Sequence, residues 1–157
     1  MRQTEVTQAA YQRVMEANPS HFKGAQRPVD SVNGKEAREY CAAVGLRLPT
    51  EEEWEYAARA GNGGARYEEL DIVAWHRGNS GGQTHDVAQK QPNAWGLYDM
   101  LGNVYEWTSN LRGADRRVLR GGSWGNGPRE IRASFRLWGG ETLQQDIAGF
   151  RCAGELR

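Results

Sequence analysis

What this 157-residue chain lacks narrows its possibilities first. Its two cysteines, Cys41 and Cys152, stand far apart, so no CxxC-type metal or redox motif can be built. From the residues alone they are either two buried thiols or one disulfide clamping the first half to the C-terminal end. An excess of one charge is missing too, because 20 basic residues balance 20 acidic ones. That removes any broad electrostatic attraction to nucleic acid or to a membrane surface. No apolar run approaches the ~20 residues that span a bilayer. No signal peptide opens the chain, so the cytoplasm and surface display both remain open as locations. One domain over residues 1–157 is expected, long enough to bury about 70% of the unfolded chain's surface.

Glycine and tryptophan are what the chain has in quantity, 20 and 6 residues against 5 prolines. The combination points to a turn-rich, irregular fold around a heavy aromatic core, not to a helical bundle. The densest apolar stretch runs from Asn93 to Asn110. Trp95, Leu97, Tyr98, Met100, Leu101, Val104, Tyr105 and Trp107 are each worth roughly 1.5–3 kcal/mol when fully covered. Gly96 and Gly102 interrupt it and permit positive φ or close backbone approach. A segment so apolar and so broken is a poor helix and a good buried loop-and-strand. It reads as the centre of the core.

Three helices precede it. Thr4–Ala17 begins strand-like and turns helical, with Ala10, Tyr11, Val14 and Met15 at helical spacing. Asn18-Pro19-Ser20 stops it, and His21–Arg27 reads as exposed loop before Pro28-Val29 returns to the core. A second helix starts at Asn33 with Glu36 as capping-box partner. Its apolar stripe is Ala37, Tyr40, Cys41 and Val44, and Gly45 is the expected C′ residue. The third has Thr50 as N-cap, Glu53 closing the box, acids in its first turn, Arg59 in its last and Gly61 beyond. After Gly61, short aromatic segments alternate with polar loops. Val118–Trp124 reads as a strand entering a glycine turn, and Ile131–Trp138 and Ala148–Ala153 as two further strands. Helices first and small antiparallel strands last make an α+β pattern.

Four motifs carry a family resemblance. Arg47–Arg59, Asn93–Thr108, Arg120-Gly121-Gly122-Ser123-Trp124 and Gly149-Phe150-Arg151-Cys152-Ala153 resemble, in order and over nearly the whole chain, the formylglycine-generating enzyme (sulfatase-modifying factor) domain. The resemblance implies an α+β, C-type-lectin-like fold with helices in the first half and short strands and long loops in the second. Thr4-Glu5-Val6-Thr7 resembles a motif that in the family follows an extra N-terminal strand region, so the domain is expected to be N-terminally short. The resemblance also implies that Cys41 and Cys152 occupy the positions of a structural disulfide.

Activity is another matter, because fold does not fix function. Enzymes of the family oxidise a substrate cysteine with copper held by two cysteines a few residues beyond the Gly-Gly-Ser motif. Here that stretch, Gly125–Ile131, contains none, and Asn126 and Ile131 stand where the thiols would be. Soft Cu(I) needs thiolates, so no copper is expected and catalytic residues are expected to be absent. An iron-dependent branch uses three histidines. His21, His76 and His85 lack its His-x₃-His spacing and read as loop residues making surface hydrogen bonds. The family also holds a structural Ca²⁺. Carried over by position, Asp99, Gly102, Val104 and Glu106 would be its ligands, an oxygen-only set suited to that ion. The alternative is that Asp99 and Glu106 pair with buried arginines or backbone amides. Asn79-Ser80 begins a second family calcium site, but its acidic partner has no counterpart here.

The segment 124–147 mixes family-like positions (Trp124, Arg132–Arg136) with idiosyncratic ones. Leu137-Trp138-Gly139-Gly140 and Thr142-Leu143-Gln144-Gln145 are either local core or an exposed aromatic anchor. The pattern resembles the variable proteins of diversity-generating retroelements, which use this fold to bind ligands with a C-terminal segment ending near Gly-Phe-Arg. In that reading Gly125, Asn126, Gly127, Arg129, Glu130, Leu137, Trp138, Glu141, Thr142 and Gln144 form a contact surface for a protein or other surface ligand. A cysteine-free, metal-dependent enzyme and an accessory domain of a bacterial signalling protein are the alternatives.

Overall fold

The computed structural model describes residues 1–154. Each of the first three helices begins where its capping chemistry dictates. Helix α1 (Gln8–Met15) is capped by Thr7, whose hydroxyl accepts from the Ala10 amide at 3.3 Å. Helix α2 (Gly34–Ala43) has a reciprocal box, Glu36 N–H to Asn33 Oδ1 and Asn33 N–H to Glu36 Oε2, both at 2.9 Å. Thr50 and Glu53 repeat it at the start of α3 (Glu51–Arg59), at 3.1 and 2.9 Å. Such caps are worth about 1 kcal/mol each. Helix α3 ends one residue earlier than its glycine signal, because Ala60 already takes the left-handed conformation (φ 46) before Gly61. A short α4 (Leu70–Val73) has no side-chain cap, which is why nothing in its sequence marks it.

Four strands follow, β1 (Tyr105–Arg112), β2 (Arg116–Arg120), β3 (Arg136–Gly140) and β4 (Ala148–Gly149), in the order β3-β2-β1-β4. β1–β2 and β2–β3 are antiparallel, whereas β1–β4 is parallel, a pairing the strand pattern did not foretell. The strand expected from Ile131 starts only at Arg136. Before it the chain winds through turns, with Ile131 N–H bonded to Gly127 O and Phe135 N–H to Arg132 O. The strand expected over 148–153 pairs with β1 only at Ala148–Gly149. Beyond it, Phe150 and Cys152 carbonyls accept from the Val6 and Arg2 amides, so the chain's two ends run side by side.

Two core clusters result. One gathers Tyr11, Val29, Tyr40, Trp107 and Phe150 around a disulfide joining Cys41 to Cys152. The other packs Trp54, Ala58, Met100, Leu101 and Ile131 beneath α3. The Asn93–Asn110 stretch links them, giving Leu97, Met100 and Leu101 to the second and Tyr105 and Trp107 to the first. Gly102 makes the handover possible: its φ is 78, and a Cβ there would lie 2.4 Å from the Trp75 carbonyl oxygen. Two apolar residues expected to face the core are exposed instead. Trp95 is 47% exposed and leans edge-on against Tyr56, and Val44 is 37% exposed because α2 is already turning away there.

Candidate functional site

Loop 141–147 joins β3 to β4, and its main chain is fixed while its side chains are not. Glu141 N–H bonds to Asp115 O, Gly34 N–H to Glu141 O, Ser31 N–H to Gln145 O and Tyr105 N–H to Ile147 O. Between these anchors Thr142, Leu143, Gln144 and Gln145 are all exposed. Gln144 touches only Glu36, through its side-chain amide. Glu141, by contrast, is structural. Its Oε1 accepts from buried Arg117 at 2.7 Å and lies 3.2 Å from Arg38, and these guanidiniums, Arg117 first, pull its carboxyl below the ordinary value. Leu137 and Trp138 are half-buried on β3. The Arg112 guanidinium lies over the Trp138 ring, 4.4 Å from its centroid, a cation–π contact.

The other group of sequence-selected residues is anchored elsewhere. Asn126 O accepts from the Arg77 amide, and Pro128 O and Ile131 O accept from the Arg66 guanidinium. Arg129 is exposed, Gly125 and Glu130 are half-buried, and Gly127 is buried. Residues 125–130 therefore sit beside the cluster that holds Ile131, and residues 137–147 beside the one that holds Trp107. Asn126 and Ile131 do scaffold work. Asn126 Oδ1 accepts from both the amide and the hydroxyl of Ser123, at 2.9 and 2.7 Å, and Ile131 is fully buried against Gly122.

Behind the sheet lies a buried charge cluster that sequence reading found only in part. Glu106 Oε2 accepts from Trp54 Nε1 and Arg151 Nε, and its Oε1 from Arg151 Nη2, all at 2.8 Å. Asp99, at φ 53, accepts from the Ala88 amide through Oδ2, while its Oδ1 is buried with no protein partner. Glu5, missed from sequence, is fully buried with both oxygens unpartnered and Arg151 4.0 Å away. Burial, and then the Asp99 charge, push the Glu5 carboxyl well up. Burial raises Asp99 to about 6, although the Ala88 amide and Arg151 oppose it. Three carboxylates thus face one guanidinium. The oxygens with spare lone pairs include Asp99 Oδ1 and Glu106 Oε1. Among the described residues no three His, Cys, Asp or Glu side chains converge tightly enough to hold a metal by themselves. A cation at this motif would therefore need main-chain carbonyls as well, and an oxygen-only donor set is the kind that suits calcium.

Each histidine has a local role. His76 Nδ1 accepts from the Gly78 amide, so Nε2 carries the proton and donates to Asp71 Oδ1 at 2.5 Å. His85 Nε2 donates to Ser80 O and its ring stacks on Trp75, with centroids 3.8 Å apart. His21 packs edge-on against Phe22.

The domain model described as "Sulfatase-modifying factor enzyme 1-like domain" matches residues 1–156. "Inactive C-alpha-formylglycine-generating enzyme 2" of Bos taurus is 39% identical over 149 residues, covering 80% of this chain and 50% of the relative. "Hercynine oxygenase" of Mycobacterium tuberculosis is 38% identical over 164 residues, covering 84% and 38%. This chain thus spans half or less of these relatives' length. Among solved structures, "Treponema denticola variable protein 1" superposes with a TM-score of 0.86 at 29% identity, covering 94% of this chain and 81% of that one. The fold is that of the formylglycine-generating enzymes, the C-type-lectin-like arrangement anticipated from the motifs. The chain belongs to the sulfatase-modifying-factor domain family.

Proposed function

We propose that this protein is a non-catalytic ligand-binding module whose contact surface is built on segment 124–147. The carrying observation is the loop between β3 and β4: four consecutive exposed side chains on a main chain pinned at both ends by hydrogen bonds to the core. Such a loop tolerates side-chain exchange, because the bonds that position it do not involve the side chains being exchanged. Similarity to a variable protein and to an inactive relative supports the reading. So does the chemistry at the thiol positions, where Asn126 bonds to Ser123 and Ile131 is core.

Replacing Thr142, Leu143, Gln144 and Gln145 with mixed residues tests the display role. Most variants are expected to fold within about 0.5 kcal/mol of the parent, and selection from that library should yield binders whose affinity depends on these positions. A library that mostly fails to fold overturns the reading. For catalysis, a cysteine peptide from a sulfatase, incubated with copper-treated protein, is expected to keep its mass. Conversion to formylglycine would overturn a non-catalytic role.

A structural Ca²⁺ held by Asp99, Glu106 and the Gly102 and Val104 carbonyls belongs to the same reading and would serve cohesion only. Metal analysis of chelator-free protein, with melting in and out of EDTA, tests it. Stoichiometric calcium whose removal lowers Tm supports the ion, and an unchanged Tm without calcium removes it.

A further inference from the structure

We propose that the free edge of β3, together with Arg112, Arg116 and Trp138, takes an extended acidic polypeptide segment by strand addition. This rests on the reading of the protein as a binding module, and it names the partner's chemistry and the part of the surface that recognises it.

β3 is one of the two edge strands of the sheet. Glu141 N–H bonds inward to Asp115 O, so alternation along the antiparallel ladder turns the Leu137 and Gly139 amides toward β2 and those of Arg136, Trp138 and Gly140 outward. Among the described residues nothing bonds to the outward amides and carbonyls of Arg136 and Trp138. Such a row is a template for another strand unless it is blocked by proline, a bulge or a covering element. β3 is Arg-Leu-Trp-Gly-Gly and has no proline. At its end the Gly140 carbonyl already accepts from the Leu143 amide, so the open row is that of Arg136 and Trp138.

Charge then selects among extended chains. Arg112 and Arg116 face each other directly across the β1–β2 ladder, both are exposed, and among the described residues neither has a carboxylate within ion-pair distance. Like charges directly opposite destabilise a sheet, so the pairing of these two charges costs stability. The chain as a whole is neutral, which makes the local excess a feature of this corner. Arg112 already reaches the edge strand, its guanidinium lying over Trp138. Guanidinium forks bind carboxylates bidentately. On the opposite face of β3, Leu137, Leu143 and Ile147 line a cavity of ≈ 210 Å³. An added strand alternates its side chains between the faces. Its acids would meet Arg112 and Arg116, and its apolar residues would enter the cavity.

The test is fluorescence anisotropy with a fluorescein-labelled octapeptide alternating Glu and Val, beside one alternating Lys and Val and one carrying a central proline. The Glu–Val peptide is expected to bind, to weaken as salt rises, and to lose about tenfold or more in affinity with R112Q/R116Q protein. The proline peptide should fail, because it cannot complete the ladder. The double variant keeps its fold, read by near-ultraviolet circular dichroism, and is expected to melt no lower than the parent. Equal binding of the Lys–Val peptide, equal binding by the double variant, or no binding by the Glu–Val peptide overturns the proposal. If binders selected from the 142–145 library keep their affinity on R112Q/R116Q protein, this inference fails while the module reading survives.

Discussion

Reducing the bond between Cys41 and Cys152 is expected to lower the melting temperature by about 15 °C. The two residues are 111 apart in sequence, and closing so long a loop removes about 5 kcal/mol of conformational entropy from the unfolded chain in the chain-entropy model. Unfolding entropy near the midpoint is about 2.1 cal/mol/K per residue, or about 0.33 kcal/mol/K for a chain of 157 residues. Their quotient is the expected shift. Cys41 and Cys152 are 0% and 1% exposed, so a reductant reaches them only through opening of the core. The assay therefore unfolds the protein in denaturant with a phosphine reductant, refolds it, and compares calorimetric Tm with the oxidised form. Refolded reduced protein keeps both thiols in the same packed site, which isolates the loop constraint from any cavity. A shift below about 4 °C would refute the reasoning, because the unfolded chain would then gain almost nothing from release of the loop.

Breaking the buried ion pair with Arg151→Met should cost about 3–5 kcal/mol in urea unfolding, since Glu106 would be left charged and buried. Adding Glu106→Leu should recover only part of it, because Trp54 Nε1 then loses its acceptor and the Gln3 and Tyr98 carbonyls have lost Arg151. Gly102→Ala should cost about 3 kcal/mol or more, because strain at φ 78 is joined by a clash 2.4 Å from Trp75 O. Gly96→Ala, at φ 74 in open space, should cost only about 1–2 kcal/mol, and equal losses would sink the distinction. The Glu53 carboxyl is held down to about 2, chiefly by the Arg47 guanidinium. A lowered folded value means stability that is present above the ordinary 4.5 and lost as pH falls toward 2. The pair is exposed, so solvent screening holds its contribution below about 1 kcal/mol. Glu53→Gln should therefore destabilise at pH 7 and be indistinguishable from the parent near pH 2, and a loss independent of pH would count against the pair.

The readable parts of the fold are those whose energetics are local. Asn33 with Glu36 and Thr50 with Glu53 announce helix starts because both partners of each cap lie within four residues. The glycine turn after β2 is legible because Gly121 and Gly122 take positive φ. What stayed hidden depends on distant partners. The parallel pairing of β1 with β4 joins residues over 40 positions apart through two register pairs, too few to impose an alternating pattern. Trp95 reads as core by composition, but it lies where Asn93 folds the chain back, its Oδ1 accepting from the Trp95 and Leu97 amides. That turn sends Leu97 inward and leaves Trp95 out against Tyr56.

The candidate site divides along the same line. Asp99 and Glu106 are visible in sequence because they punctuate an apolar stretch, where an acid must have a reason. Glu5 punctuates only the short extended piece before α1, and its burial follows from Arg151 at the far end of the chain. Thr142–Gln145 carry no physical signature, since exposed side chains change stability by no more than about 0.5 kcal/mol. Arg112 and Arg116 differ from these. In sequence they are unremarkable charged residues flanking a turn, but the register sets them face to face, and only Arg112 has an offsetting contact, over Trp138. Positions that cost stability are where a chain shows what else it was selected for, and here they lie beside β3, one of the two edge strands of the sheet.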